Sequence, residues 1–520
     1  MAWSRWRWSF MRRKPSIFST LFHNDTQKRL VKPLLILSTF LLVDSVTGRS
    51  FTSLFGNDPP PSGVIPEEWQ QSFQTIGGIL EALRKAIHDE YPSRFPLFLN
   101  LSLLHLYHRT LSDRISRVLV IPKDLATSRN ENFCEQALRF MKFSSCAYGA
   151  ILGMMLGVVE KPVVGTKVLQ PESYSDTAAI CRRLNLNASD IIVTSLHHDS
   201  MSEMIGEVFQ PRYFIAMDHA NQAIVVSIKG TASVNDLAKD LVCHSVPFLD
   251  GEAHSGIKAA AEKVYEQAIG SLTEALEKFQ GYKVVLCGHS LGGGTAILLK
   301  LLIHQKQMEG SLKIDPSVQI ECFAYAPPPV FRGLLPEVMA EGIHTFVHHH
   351  DIVPRLSLGS VYHLFCELRS IDQLPLATRD RLKIISMELI DQLMNRKESN
   401  EKLKKAVSMV QEATDHPPII VLENGDKIKF EPLQLTGSVY HLYKAKKRRK
   451  DPKRYTMIKT ENNFFVPIRI YADCFINHHP NAYEEALENI VLTNNAHSDE
   501  NSKPLKKMAF DEETSKRGEL

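Results

Sequence analysis

One short stretch of the sequence, KVVLCGHSLGGGTAILL, constrains the fold more than any other. It places Gly288-His289-Ser290-Leu291-Gly292 directly after an apolar run and directly before a segment with helical character. Glycines on both sides of a serine permit a sharp strand-to-helix turn that exposes the hydroxyl. The helix N-terminus also favours the negative charge that develops on a reacting ester. We therefore predict that Ser290 is a nucleophile and that Gly288, His289 and Gly292 form the turn around it.

The segments around this turn alternate between strand-like and helical patterns. Strand patterns occur at 212–219, 222–230, 318–327, 344–349, 438–444 and 464–471, and at 419–430, where Asn424-Gly425 predicts a hairpin turn. Residues 256–279 repeat apolar side chains at a helical period. This alternation favours a mostly parallel sheet with helices on both faces.

Length and composition indicate one large domain with appendages. A chain of 520 residues exceeds the size at which a single core stops growing. Its 44% hydrophobic and 23% charged residues exclude a wholly disordered chain and a protein with many membrane spans. A net charge of +3, without a nucleic-acid motif, argues against a nucleic-acid partner. The eight cysteines lack the spacing of a zinc site, so we expect buried thiols and no metal.

Composition shifts divide the chain into four expected segments. Residues 1–66 are expected to be a targeting or anchor-like segment and linker, because a basic stretch precedes an apolar run at Leu34–Val43. This run is short for a membrane span, and a buried helix is the alternative interpretation of it. Residues 67–130 are expected to form a helical extension. The catalytic domain is expected at 131–495, with a helical insertion at about 358–415, and residues 496–520 are expected to be a disordered tail.

Residues 131–158 are expected to be helical and to end in the charge-free run SSCAYGAILGMMLG. The absence of charge favours a buried packing helix. A helix that dips into a membrane is the alternative interpretation.

The segment GHSLGGGTA (288–296) resembles the nucleophile turn of class 3 lipases, and particularly that of sn-1-specific diacylglycerol lipases. Further similar segments follow in the family's order: IKGTASVNDLAKDL (228–241), AHSGIKAAA (253–261), FAYAPPPV (323–330), HHDIVPRLSLGS (349–360) and FINHHPNAYEEAL (475–487). The resemblance spans about Phe133 to Ile490. It implies an α/β-hydrolase fold, in which a mostly parallel sheet is flanked by helices. The residue pattern, in turn, predicts a helical insertion and an N-terminal helical extension.

The resemblance also implies a function. It implies a serine lipase that hydrolyses acyl esters of glycerolipids, diacylglycerol or triacylglycerol, at a membrane or lipid-droplet surface, without a cofactor. The expected location is membrane-associated or organellar. A broader esterase or phospholipase, and a lipase-like scaffold without turnover, are the alternatives.

The acid and the base must follow Ser290, because the catalytic residues of α/β-hydrolases occur in the order Ser, acid, His. Asp351 follows a strand-like segment, and its D-x-V-P context is similar to the family's acid motif; a loop-capping Asp is the alternative. The later histidines are His363, His416, His441, His478, His479 and His497. The residues alone do not choose among them.

The resemblance implies that His478 is the base, since its surroundings are similar to the family's Asp-His-x-Pro-x-x-Tyr segment. Asn477 stands where the family has Asp, and His479 remains a rival. The earlier histidines 348–350 are expected to line or support the site.

Acyl transfer needs preorganised donors for the oxyanion. We expect one from the backbone N–H of Leu291, and the resemblance implies a second from Thr231, whose alternative role is that of a turn residue. The basic segment Lys444–Arg454 is expected to contact an anionic membrane; a solvated hairpin end and a nuclear-localisation look-alike are the alternatives.

Overall fold

The computed structural model describes residues 94–118, 131–159, 175–196, 211–231, 245–312, 314–393, 408–409, 431–444, 455–471 and 473–502. The expected targeting segment (1–66), the turn at Asn424-Gly425 and most of the basic segment lie outside these residues. Among the described helices, none combines the length and the apolar character needed to cross a membrane.

The elements are numbered here in chain order. The helices are α1 (Leu97–Val118), α2 (Glu131–Cys146), α3 (Gly149–Met155), α4 (Asp176–Leu184), α5 (Ser255–Lys278), α6 (Leu291–Met308), α7 (Glu337–Ala340), α8 (Leu358–Gln373), α9 (Thr378–Leu393) and α10 (Pro480–Ser502). The strands are β1 (Ile191–Thr194), β2 (Tyr213–Asp218), β3 (Ala223–Ile228), β4 (Ser245–Phe248), β5 (Gly251–His254), β6 (Lys283–His289), β7 (Ile320–Tyr325), β8 (Phe331–Gly333), β9 (Ile343–His348), β10 (Ser438–Lys444) and β11 (Tyr455–Thr460).

Within the part of the chain that the structure describes, the central sheet has eight strands in the order β1-β2-β3-β6-β7-β9-β10-β11. The five neighbouring strands from β3 to β10 are parallel, and antiparallel pairs lie at both edges. Ile228, Gly288, Ala324 and Thr345 are paired in one row across four of these strands. The carboxyl ends of the strands therefore meet at one edge of the sheet, where α/β folds place their ligands.

The α/β-hydrolase fold expected from the sequence is confirmed. The central helix α6 is buried from Leu291 through Ile303, and the ammonium of Lys300 within this stretch donates to the carbonyls of Met339 and Glu341. A large apolar core includes Phe140 and Phe143 of α2, Phe323 of β7 and Phe346 of β9. This packing holds the turn at Ser290 on a rigid support.

Two expectations about local structure are wrong. Residues 464–471 do not form a strand; β10 instead pairs with β11, and Asn462–Phe465 form a short 3₁₀ helix. Pro467 lacks the N–H that a sheet ladder requires. The charge-free run forms α3, but Ile151 and Met155 are 70% and 79% exposed, so the expected burial of this run is wrong on that face.

The chain divides into two compact units. One contains residues 120–358, 432–467 and 475–520, and with them the central sheet. The other contains residues 1–119, 359–431 and 468–474, so the N-terminal helix and the insertion helices belong together. The sequence does not indicate this grouping. Helix α10 ends at Ser502, beyond residue 496, where composition places the start of the tail.

The smaller unit is built around the buried side chain of Arg381. Its guanidinium donates hydrogen bonds to the carbonyls of Ile371 and Leu376 at 2.9 and 3.0 Å and to Oδ1 of Asn100 at 2.9 Å. It also lies 3.8 Å from the centre of the Phe95 ring. One side chain thus links α1 to the loop between α8 and α9.

Candidate active site

The turn between β6 and α6 holds Ser290 in a strained backbone conformation. Its φ is 59° and its ψ is −129°, a region that residues with a side chain rarely adopt. The flanking glycines make this possible, because a Cβ on Gly288 would lie 2.4 Å from the carbonyl carbon of Gly292, and one on Gly292 would lie 2.2 Å from the carbonyl oxygen of Ile228. The predicted turn residues therefore have the geometry that projects a serine hydroxyl from the sheet edge.

Three predicted residues meet at this turn. Nε2 of His478 lies 3.0 Å from Oγ of Ser290, and Nδ1 lies 3.0 Å from Oδ2 of Asp351. Ser290 and Asp351 are fully buried, and His478 is 6% exposed. In this arrangement Nδ1–H donates to the carboxylate and Nε2 accepts from the serine hydroxyl, which is the protonation state a general base requires.

The carboxylate of Asp351 has two further donors. The backbone N–H of Val353 donates to Oδ1 at 2.9 Å, and the hydroxyl of Tyr483 donates to Oδ2 at 2.7 Å. Hydrogen bonds of this kind stabilise the ionised carboxylate. Burial, followed by the nearby Asp351, raises the pKa of Tyr483 well above its usual value, so the phenol stays a donor.

The imidazole of His289 connects the turn to the backbone of His478. Its Nε2 lies 2.9 Å from the carbonyl oxygen of His478, and its Nδ1 lies 2.8 Å from the hydroxyl of Tyr148. Tyr148 stands between α2 and α3. Sequence reasoning missed both Tyr148 and Tyr483, although Tyr483 is the final residue of the similar segment that contains His478.

The loop after β3 packs against the same turn. A Cβ on Gly230 would lie 2.3 Å from the carbonyl oxygen of His289, so this loop and the turn touch through their backbones. Thr231 follows directly, and its Oγ1 is buried without a hydrogen-bond partner among the described residues. Leu291 is the first residue of α6, and N–H groups in the first turn of a helix have no partner within the helix.

The other histidines lie elsewhere. Nδ1 of His479 accepts from the backbone N–H of Asn481 at 3.3 Å. His441 is buried in β10, where its Nε2 donates to the carbonyl of His349, and burial lowers its pKa to about 3. His363 is exposed on α8, and His416 lies outside the described residues. His348 supports the site, because its Nδ1 bonds the carbonyl of Asn477 at 3.1 Å.

The comparison with known proteins points to one family. Residues 225–360 match the model of the family described as Lipase (class 3). The chain is 30% identical over 196 residues to diacylglycerol lipase-beta of Mus musculus. The aligned region covers 35% of this chain and 26% of that protein. It is also 31% identical over 220 residues to diacylglycerol lipase-alpha of Homo sapiens. In that case the aligned region covers 39% of this chain and 19% of the relative.

A fungal relative matches as well. The chain is 33% identical over 153 residues to secreted mono- and diacylglycerol lipase A of Penicillium cyclopium. The aligned region covers 28% of this chain and 47% of the fungal protein. Each match covers less than half of the relative's own length. Together the matches confirm the resemblance to class 3 lipases. The family match includes Thr231, Ser290 and Asp351 and ends before His478.

Proposed function

We propose that this chain, which carries a class 3 lipase match at residues 225–360, is a serine lipase that hydrolyses acyl-ester bonds of glycerolipids. Diacylglycerol or triacylglycerol is the proposed substrate, and a free fatty acid is the product. The observation that carries the proposal is the series of hydrogen bonds from Ser290 through His478 to Asp351 at a strained strand-to-helix turn.

The proposed reaction begins when Nε2 of His478 takes the proton of the Ser290 hydroxyl as Oγ attacks the ester carbonyl. Asp351 stabilises the imidazolium that forms. The imidazolium then protonates the departing glycerol oxygen, which leaves an acyl group on Ser290. A water molecule then gives a proton to His478 and attacks the acyl carbonyl. As the bond between the carbonyl carbon and Oγ breaks, the imidazolium returns the proton to Oγ, and the fatty acid is released.

The oxyanion of each tetrahedral intermediate needs donors at the edge of the sheet. We assign the backbone N–H of Leu291 and the N–H and hydroxyl of Thr231 to this role. The buried, unpartnered Oγ1 of Thr231 and the backbone contact between Gly230 and His289 support the assignment. The loss of one such donor typically slows catalysis by about 100-fold or more.

The proposed substrate partner is a membrane or lipid-droplet surface. Helix α3 exposes Ile151 and Met155, and Ile476 is 52% exposed two residues before His478. Nδ2 of Asn481 donates to the carbonyl of Leu156 at 3.2 Å, which holds the end of α3 beside the His478 segment. Full burial of an Ile or Met side chain is worth about 1.5–3 kcal/mol, so three such residues support peripheral attachment to lipid.

Defined glycerolipids test the proposal. Purified wild type and Ser290→Ala are incubated with diacylglycerol, triacylglycerol and phosphatidylcholine, and released fatty acid is measured. We expect release from the neutral glycerolipids by wild type alone. Preferential release from phosphatidylcholine would indicate a phospholipase, and no release from any ester by folded wild type would indicate a scaffold without turnover.

A further inference from the structure

We propose that His289 and Tyr148 position the base of the site, with Tyr148 holding the ring of His289 in place and His289 holding the backbone carbonyl of His478. The inference rests on the proposed function, because it gives these residues a role in the same reaction. Neither side chain is placed to touch the reacting atoms, so both are positioning residues.

The first step of the argument is the tautomer of His289. A carbonyl oxygen can only accept, so the 2.9 Å contact with the carbonyl of His478 requires a proton on Nε2 of His289. In a neutral ring Nδ1 is then an acceptor, and the hydroxyl of Tyr148 at 2.8 Å is its donor. The chain of hydrogen bonds therefore runs in one direction, from Tyr148 through His289 to His478.

The second step is the charge of the ring. His289 is 1% exposed, and burial, followed by the proximity of His478, holds its pKa well below the usual range. The titratable groups that face it are Tyr148, His478, His479 and Tyr483, from three separate segments. The centres of the His289 and His478 rings are 4.9 Å apart. Because His289 is neutral, no second positive charge at this distance repels the imidazolium of His478.

The third step is the position of His478 in the chain. It ends the short 3₁₀ helix Ile476–His478, and its carbonyl is held by His289 rather than by a regular helix or strand. His289 directly precedes Ser290. The hydrogen bond therefore links the backbone of the base to the backbone of the nucleophile and holds Nε2 of His478 at 3.0 Å from Oγ.

The hydroxyl of Tyr148 lies close to the loop after β3. A Cβ on Gly230 would lie 2.8 Å from the Tyr148 hydroxyl, so the loop after β3 closes over it. Tyr148 is itself 4% exposed. The hydroxyl thus lies where α2, the loop before Thr231 and the nucleophile turn come together.

Four variants test the inference on a soluble ester and by the rate at which a fluorophosphonate modifies Ser290. His289→Leu removes the donor to His478 and is expected to lower kcat about 10- to 100-fold with little change in KM, because misplacement of a base by about 1 Å has an effect of that size. His289→Gln, whose amide can still donate, is expected to recover part of the rate. Tyr148→Phe is expected to lower kcat less than His289→Leu does, because the ring of His289 loses one of its two hydrogen bonds but keeps the one to the carbonyl of His478.

The matched control is Tyr282→Phe, which removes a hydrogen bond of the same kind, from Tyr282 to His219 at 2.7 Å, on the exposed surface. It is expected to keep the wild-type rate and pH profile. Wild-type kcat in folded His289→Leu, or in folded Tyr148→Phe, would overturn the inference.

Nitrogen NMR of ¹⁵N-histidine-labelled protein separates this inference from the proposed function. The His289 signal, assigned by its loss in His289→Gln, is expected to show a neutral ring with the proton on Nε2 between about pH 5 and pH 9. A proton on Nδ1, or titration within this range, would overturn the inference. Failure of wild type to react with any ester or with fluorophosphonate would refute the function, whereas this measurement tests the hydrogen-bond chain directly.

Discussion

Tyr483 donates its hydroxyl to Oδ2 of Asp351 at 2.7 Å, so a helix that begins two residues after His478 also holds the carboxylate that His478 bonds. The proposed acid, the proposed base and their support are thereby tied to one segment of the chain. The same hydroxyl accepts the backbone N–H of His348 at 2.9 Å, which fixes it against the end of β9.

Tyr483→Phe removes a hydrogen bond to a charged group, which is worth about 1.5–3 kcal/mol, so kcat/KM is expected to fall about 10- to 100-fold. Steady-state rates on a soluble ester measure this effect. An unaltered kcat/KM in folded Tyr483→Phe would contradict the assigned support role.

Gly230→Ala is expected to impair both stability and activity. The new Cβ would lie 2.3 Å from a backbone oxygen of His289, which cannot move without disturbing the turn. Gly270→Ala on α5 is the control, since a Cβ there meets no atom within 4 Å. It should stabilise the protein by about 0.5–1 kcal/mol because alanine favours a helix. Chemical denaturation and ester hydrolysis are measured for both variants. Equal effects of the two substitutions would refute the close contact between Gly230 and the backbone of His289.

The exposed face of α3 should matter for lipid but not for a soluble ester. Met155→Ser removes an apolar side chain that is 79% exposed, and Met308→Ser removes one that is 74% exposed at the far end of α6. We expect Met155→Ser to weaken sedimentation with diacylglycerol-containing vesicles and to slow hydrolysis of that lipid, while its rate on a soluble ester is retained. The same loss in Met308→Ser would show that the effect is not specific to α3.

Arg381→Met should destabilise the smaller unit strongly. The substitution keeps much of the volume but leaves the carbonyls of Ile371 and Leu376 and the amide oxygen of Asn100 without their donor. A buried acceptor left without its donor costs about 1–3 kcal/mol for each group. Hydrogen exchange of the amides in α8 and α9 should accelerate. Native protection in that variant would contradict the role of Arg381.

The sequence predicts the parts of this molecule that depend on local pattern. The turn at Ser290, the hairpin of β2 and β3, and β9 before Asp351 each have a periodicity or glycine placement that indicates their structure. For the proposed site, the order of catalytic residues along the chain limits the candidates for acid and base, and the resemblance to class 3 lipases singles out Asp351 and His478 among them.

Long-range contacts were not predictable in this way. Tyr148 lies in a charge-free run that resembles ordinary core, and nothing local indicates that its hydroxyl meets a histidine 141 residues later. The grouping of α1 with the insertion depends on Arg381 and Asn100, which are 281 residues apart. Residues 464–471 have strand-forming side chains, but the ladder position beside β10 is occupied by β11.

The central claim is that Ser290 is a nucleophile activated by His478. It is tested most directly by mass spectrometry of the protein after reaction with a fluorophosphonate, in wild type, Ser290→Ala, His478→Ala and His479→Ala. We predict one adduct on Ser290 in wild type, none in Ser290→Ala, almost none in His478→Ala, and near-normal labelling in His479→Ala. An adduct on another residue, or labelling that depends on His479 and not on His478, would contradict the account.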